Sequence, residues 1–163
     1  LRTGRRSLRQ PGLPREEAIK DPETRATFIQ HLQDLRDIAD QFFSIFEELL
    51  HRMPFGIRYV AQQMYECLLS RFSGDDPGLI LQSVGHWVWR NYFQPPLIEP
   101  DRHGVVDRGL TQEQKRNLSE IAKVVTQVVS GRLFGAENMY LQPLNTYIGD
   151  SIQRLGQIWG NRE

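Results

Sequence analysis

An all-α bundle of about five helices is the fold this sequence predicts, on three observations. Apolar residues recur at spacings of three and four along most of the chain. Helix-start signals precede the main apolar segments. No segment sustains the period-two alternation of a half-buried strand.

Asp21 before Pro22 reads as an N-cap followed by proline at the first helical position. Phe28, Leu32, Leu35, Ala39, Phe42, Phe46 and Leu49 then form one stripe, sustained for about three heptads. Ile38, Phe43, Ile45 and Leu50 broaden it, which favours a bundle helix over a two-stranded coil. Pro54 and Gly56 are expected to stop this helix. A second helix is expected from about Ile57 to Phe72, burying Val60, Met64, Cys67 or Leu68, and Phe72. Asp76-Pro77 repeats the cap-plus-proline start. The third helix, Leu79 to about Phe93, is apolar on nearly every side and is expected in the middle of the bundle. Gly85 within it suits close approach by a neighbour, and Pro95 and Pro96 are expected to end it. Thr111 and Gln114 make a capping-box pattern for a fourth helix with the stripe Leu118, Ile121, Val125 and Val128, closing near Gly131. A fifth carries Leu141, Leu144, Ile148, Ile152, Leu155 and Trp159, with Pro143 in its first turn.

Two regions of different composition divide the 163 residues. Residues 1–21 hold Arg2, Arg5, Arg6, Arg9 and Arg15 with few large apolar side chains, and read as a flexible basic lead-in. The other reading is a basic arm touching phosphates or acidic lipid. Residues 22–163 form the helical domain. With a formal net charge of +0, no global field argues for nucleic acid or acidic lipid, and no nucleic-acid partner is expected. No apolar run is long enough to span a membrane, and no secretory signal opens the chain. A single cysteine, Cys67, excludes an internal disulfide and fits a reducing, cytoplasmic compartment. Leu1 in place of Met is what a segment of a longer chain would show.

Chemistry of its own is not expected. His31, His51, His86 and His103 are scattered and Cys67 is alone, so no metal is predicted. Phosphate-cradling glycine patterns are missing, so no nucleotide cofactor is expected either. Glu47 with Glu48, and Asp75 with Asp76, read as exposed or helix-start acids rather than acid–base pairs. His86, inside the apolar third helix, reads as a hydrogen-bonded core histidine.

Four blocks carry a resemblance. "VGHWVWRNYFQPPLIEPD", Val84 to Asp101, resembles the signature helix and proline turn of Ras-GAP domains in its tyrosine-rich IQGAP form. "MPFGIRYVAQQM" at 53–64 and "LTQEQKRNLSEIAKVV" at 110–125 are similar to the preceding and following IQGAP segments, and "FGAENMYLQPLNTYI" at 134–148 to the next Ras-GAP helix.

The resemblance implies the C-terminal portion of a GAP-related domain that docks on a GTP-bound Ras-superfamily GTPase, of Rho or Ras type. An arginine finger gives such domains a rate gain of about 10³–10⁵, and by resemblance it lies upstream of Leu1. The motif arginine that braces the finger is replaced by Asn91; Arg90 is one residue off, and Pro96 stands where alanine is usual. Catalysis is therefore expected to be impaired, with no catalytic residue in this chain. Lys123 falls where the family carries a groove lysine, and Arg116, seven residues earlier, shares its helix side. Asn117, Gln94, Pro95 and the Arg90–Asn91 pair complete the expected contact set. The family also implies a cytoskeletal scaffold at the cell cortex or contractile ring, binding actin and calmodulin through other regions. Two alternatives stay open: an active Ras GTPase activator whose finger lies N-terminal, and a helical dimerisation module using the stripe at residues 28–49.

Overall fold

Asp21 caps the first helix in the computed structural model, which describes residues 20–160. Its carboxylate accepts from the Thr24 backbone N–H at 2.8 Å and from the Thr24 hydroxyl at 2.7 Å. Most of the basic lead-in expected over residues 1–21 lies outside the described residues. Helix α1 runs Pro22–Leu49. Its stripe faces the core: Leu32, Ala39 and Phe43 are buried, while Phe28, Leu35, Phe42 and Phe46 pack half-buried against them. Ile29, Ile38 and Ile45 look outward.

A single 3-10 turn, Leu50–Arg52, leads to α2, Phe55–Arg71. Pro54 sits at the α2 N-cap, and Gly56 lies inside its first turn. The expected inner face of α2 is only partly used. Met64 and Leu68 are half-buried, but Val60, Cys67 and Phe72 are exposed and no residue of α2 is fully buried. The cause is geometric. α2 packs against the following helix α3 and stands off α1, leaving an open cavity of about 830 Å³ lined by Phe42, Phe46, Tyr65, Leu81, Val84 and Trp89.

Helix α3, Pro77–Val88, begins where Asp76 accepts from the Gly78 N–H at 2.8 Å. Ile80, Val84, Gly85 and Val88 are buried, whereas Leu79 is exposed. The prolines do not end this helical path. The chain widens into a π turn at Trp89–Phe93 and continues as α4, Gln94–Ile98, with Pro95 and Pro96 in its first turn. The Gln94 N–H reaches back to the Trp89 carbonyl. A proline ring clashes with the carbonyl four residues back, and neither proline has an N–H to give. The wider turn moves those carbonyls aside, so the helix bends rather than stops.

Helix α5, Gln112–Ser130, opens with both halves of the expected capping box. The Gln114 N–H donates to Thr111 Oγ1 at 3.2 Å, and the Thr111 N–H to Gln114 Oε1 at 2.9 Å. It closes at Gly131, where φ is 66°. Arg132 N–H then returns to the Gln127 carbonyl at 3.0 Å and Gly131 N–H to Val128 at 3.1 Å. Only glycine suits this left-handed position, and the Gln82 side chain fills the space a Cβ would need.

The fifth predicted helix starts later than expected. Ala136–Leu144 is a 3-10 segment, kinked at Asn138 and containing Pro143, and α6 occupies Asn145–Gly160. Leu141, Leu144, Ile148 and Leu155 are nonetheless buried and Ile152 half-buried, while the Trp159 side chain lies outside the described residues. The Asn145 amide ties α6 to the preceding turn, accepting from Phe134 N–H at 2.8 Å and donating to its carbonyl at 3.1 Å. Arg154 of α6 grips α1 through Asp40 at 3.3 Å, Ser44 at 3.3 Å and Glu47 at 2.8 Å. Among the described residues there is no strand, and no helix is long and apolar enough to cross a membrane.

Ile148 is fully buried and Ile38 is 45% exposed. Ile148→Ala is expected to cost about 2–5 kcal/mol in urea unfolding, and Ile38→Ala about 0.5 kcal/mol or less. Equal losses at both sites would contradict this core.

Candidate functional site

The apolar face of α5 sets the site. Ile121, Ala122, Val124, Val125, Val128 and Val129 are buried against α1, α3 and α6. Their opposite side must face water. Around the helix, Arg116 lies about 20° from Lys123, while Thr126 and Glu120 lie about 60° to either side. These two flanks are walled by different parts of the chain.

On the Thr126 flank stands the end of the third helical path. Thr126 Oγ1 accepts from Trp89 Nε1 at 2.9 Å and from Gln94 Nε2 at 3.5 Å. Its own proton goes to the Ala122 carbonyl at 2.6 Å. One hydroxyl thus uses its donor and both acceptor positions. Further toward the α5 N-terminus, Lys115 pairs with Asp101 at 3.4 Å, holding the loop after α4 to the same flank. The Asp101 carboxyl is held below the usual range: partial desolvation raises it, but Lys115 and the backbone N–H groups of Leu110 and Arg102 outweigh that.

Tyr140 of the 3-10 segment walls the Glu120 flank. Lys123 Nζ donates to Glu120 Oε1 at 2.7 Å and to the Tyr140 hydroxyl at 3.0 Å, and that hydroxyl donates to Glu120 Oε2 at 2.9 Å. The ammonium also lies 5.7 Å from the Tyr140 ring centroid. Desolvation lowers the proton affinity of Lys123, but hydrogen bonds to Glu120 and Tyr140 and their charges outweigh it and hold the pKa above the ordinary lysine value. The stabilisation this triad gives is therefore complete below the ordinary lysine range. It fades as pH rises through the raised value.

The residues singled out in the sequence fall into two groups. Arg116 and Lys123 share the strip between the two walls, with Gln94 half-buried at its edge and Pro95 half-buried beside it. Arg116 is exposed and has no ion-pair partner among the described residues. Asn117 is exposed but sits about 120° around α5 from Lys123. Arg90 belongs elsewhere, in the π turn within electrostatic reach of His86. His86 is half-buried, not a hydrogen-bonded core residue; burial, then Arg90 and Arg132, hold its pKa below the usual histidine value. Asn91 is exposed and spends its amide on its own helix, donating to the Trp87 carbonyl at 2.8 Å. Among the described residues no cluster of three metal-ligating side chains forms.

Sequence reading missed Thr126, Glu120 and Tyr140. A lone hydroxyl inside the run "KVVTQVV" and an acid three residues before Lys123 were visible signals. Nothing local points to Tyr140, which arrives from another segment.

Replacing Glu120 by Gln removes the carboxylate that raises the lysine pKa and leaves desolvation opposed by Tyr140 alone. Lys123 is then expected to titrate at lower pH than in the parent, read from its ε-carbon shift by NMR. A titration unchanged from the parent would show that Glu120 does not set it.

Residues 1–130 match the family described as "GTPase-activator protein for Ras-like GTPase". The chain is 26% identical over 148 residues to the Ras GTPase-activating-like protein rgaA of Dictyostelium discoideum, covering 91% of this chain and 18% of that protein. It is 26% identical over 155 residues to human Ras GTPase-activating-like protein IQGAP2, covering 93% of this chain and 10% of that one. To the Ras GTPase-activating-like protein rng2 of Schizosaccharomyces pombe it is 25% identical over 144 residues, with 88% and 10% covered. The chain thus spans 10–18% of the length of these relatives. With 1–130 of its 163 residues inside the match, the chain belongs to the RasGAP family, with IQGAP-type proteins among its relatives.

Proposed function

We propose that this chain is a GAP-related domain that binds a GTP-loaded small GTPase through the α5 strip and accelerates hydrolysis weakly or not at all. The observation that carries the binding reading is the cationic pair of exposed Arg116 and half-buried Lys123, set along a strip walled by Gln94 on one side and Tyr140 on the other. Acidic residues on a GTPase switch surface complement such a strip and are steered toward it. Glu120 keeps the Lys123 ammonium in place rather than sweeping through solvent, so less side-chain freedom is lost on docking.

Impaired catalysis is supported by Asn91. Bracing a finger arginine takes a rigid fork of donors, and an asparagine amide already bonded to the Trp87 carbonyl supplies neither the charge nor the reach. A guanidinium held loosely near the phosphates loses most of its effect, because the gain depends on positioning. With Ras GTPase-activating-like proteins of the IQGAP type among its relatives, the chain is read further as part of a cytoskeletal scaffold. The IQGAP resemblance of its four blocks adds a Rho-type GTPase at the cell cortex or contractile ring, with actin and calmodulin bound by other parts of a longer protein. The family's description as a GTPase activator favours a second reading, an active Ras GTPase activator whose finger is supplied from outside these residues.

A pull-down with GTP-analogue-loaded and GDP-loaded Rho-type and Ras-type GTPases tests the first reading. Preference for the GTP form is expected, with Arg116→Glu and Lys123→Glu together weakening binding about tenfold or more. Equal capture of both nucleotide states would refute it. Single-turnover hydrolysis with the complete domain, including the residues that precede Leu1 in a longer chain, separates the two readings: no acceleration is expected under the first, and acceleration of Ras would establish the second.

A further inference from the structure

One edge of the molecule combines cations and exposed leucines that no other part of the chain covers among the described residues. Leu79, Ser83 and His86 of α3 and Arg90 of the π turn that continues it follow at spacings of four, three and four, which keeps them near one side of the helical path. Leu79 is 60% exposed; Ser83 and Arg90 are exposed and His86 half-buried. The end of α5 delivers a second set. Gly131 rests on the Gln82 side chain, one turn before His86, so the next residues, Arg132 and Leu133, emerge beside this face. Arg132 is exposed, and Leu133 is 54% exposed. The packing of α3 on α5, with Gly131 against Gln82, joins the two sets, and both arginines lie within electrostatic reach of His86. Neither arginine has a carboxylate within ion-pair distance among the described residues.

Two solvation demands meet here. Guanidinium groups without counter-charges favour an anionic surface, and leucines held in water favour an apolar one. An acidic peptide would answer the first and leave the leucines wet. An anionic lipid interface answers both, with headgroups against the guanidiniums and side chains reaching the acyl boundary. We propose that the edge formed by Leu79, Arg90, Arg132 and Leu133 docks on an anionic membrane surface. Arg90 thereby takes a role apart from the GTPase strip, and the proposal does not depend on that strip being a binding site.

Co-sedimentation of the whole chain with phosphatidylserine-containing vesicles, against pure phosphatidylcholine vesicles, tests it. Binding to the former is expected, weakening as salt is raised. Arg90→Gln with Arg132→Gln is expected to lower the partition coefficient about tenfold or more, since each basic residue near the surface contributes separately. Leu79→Ser with Leu133→Ser is expected to lower it as well. All four side chains are exposed, and circular dichroism of each variant checks that the fold is retained. Arg5→Gln with Arg6→Gln, matched in charge, should have a smaller effect. Absence of binding by the parent chain, or binding lost only in the Arg5/Arg6 variant, overturns the proposal. Loss in the arginine variant with no change in the leucine variant also overturns it, leaving a purely ionic anion site such as one for a phosphopeptide.

Discussion

Burial of the valine face of α5 is the constraint from which the rest of the molecule follows. Val124, Val125 and Val128 lose almost all contact with water, and the helix meets α1, α3, α4 and α6 around them. Full burial of side chains of this size is worth about 1.5–3 kcal/mol each. Rotating α5 to hide Arg116 or Lys123 would forfeit several such terms and strand a charge indoors. The orientation of the cationic strip is thus fixed by the core, and it needs no separate device to face solvent.

Polar joins then fix the width of that strip. The Thr126 hydroxyl holds Trp89 and Gln94 on one flank, and the Glu120–Lys123–Tyr140 triad holds the 3-10 segment on the other. The second wall is itself located by Asn145, whose amide imitates a backbone partner for Phe134. Each join links segments distant in sequence through a side chain whose hydrogen-bonding capacity is used locally. A partner docking between the walls meets a surface already arranged, and the entropy lost on binding falls mainly on the partner.

Local rules of the chain were legible, and the packing of irregular backbone was not. Asp21, Asp76, the Thr111–Gln114 box and Gly131 all terminate helices as their side chains and backbone preferences dictate, because each depends on atoms within a few residues. Pro95 and Pro96 misled for the same reason. Read locally they stop a helix, but a π turn admits them, and that turn is retained because Trp89 is buried and bonded to Thr126 of another helix. Local rules put Pro143 in an α-helical first turn, whereas the backbone there takes the tighter 3-10 path until Asn145. The α2 face shows the opposite limit. Its apolar residues are real, yet periodicity says only that a face wants covering, not that this chain covers it. In the candidate site, spacing alone placed Arg116 beside Lys123, while Tyr140 could not be found without the fold.

Under the proposed function, binding and catalysis rest on different kinds of structure, so one can outlast the other. The cationic strip is carried by a helix whose orientation the core over-determines, so many substitutions leave it in place. A brace for a finger arginine would rest on one side chain in the π turn, where a single exchange suffices to remove it. Asn91 fits its own turn without strain because its amide finds the Trp87 carbonyl. The exchange therefore asks nothing of the fold and leaves the strip untouched. Under the proposed function, a domain that loses the brace becomes a reader of the GTP-bound state, holding a switch it no longer resets.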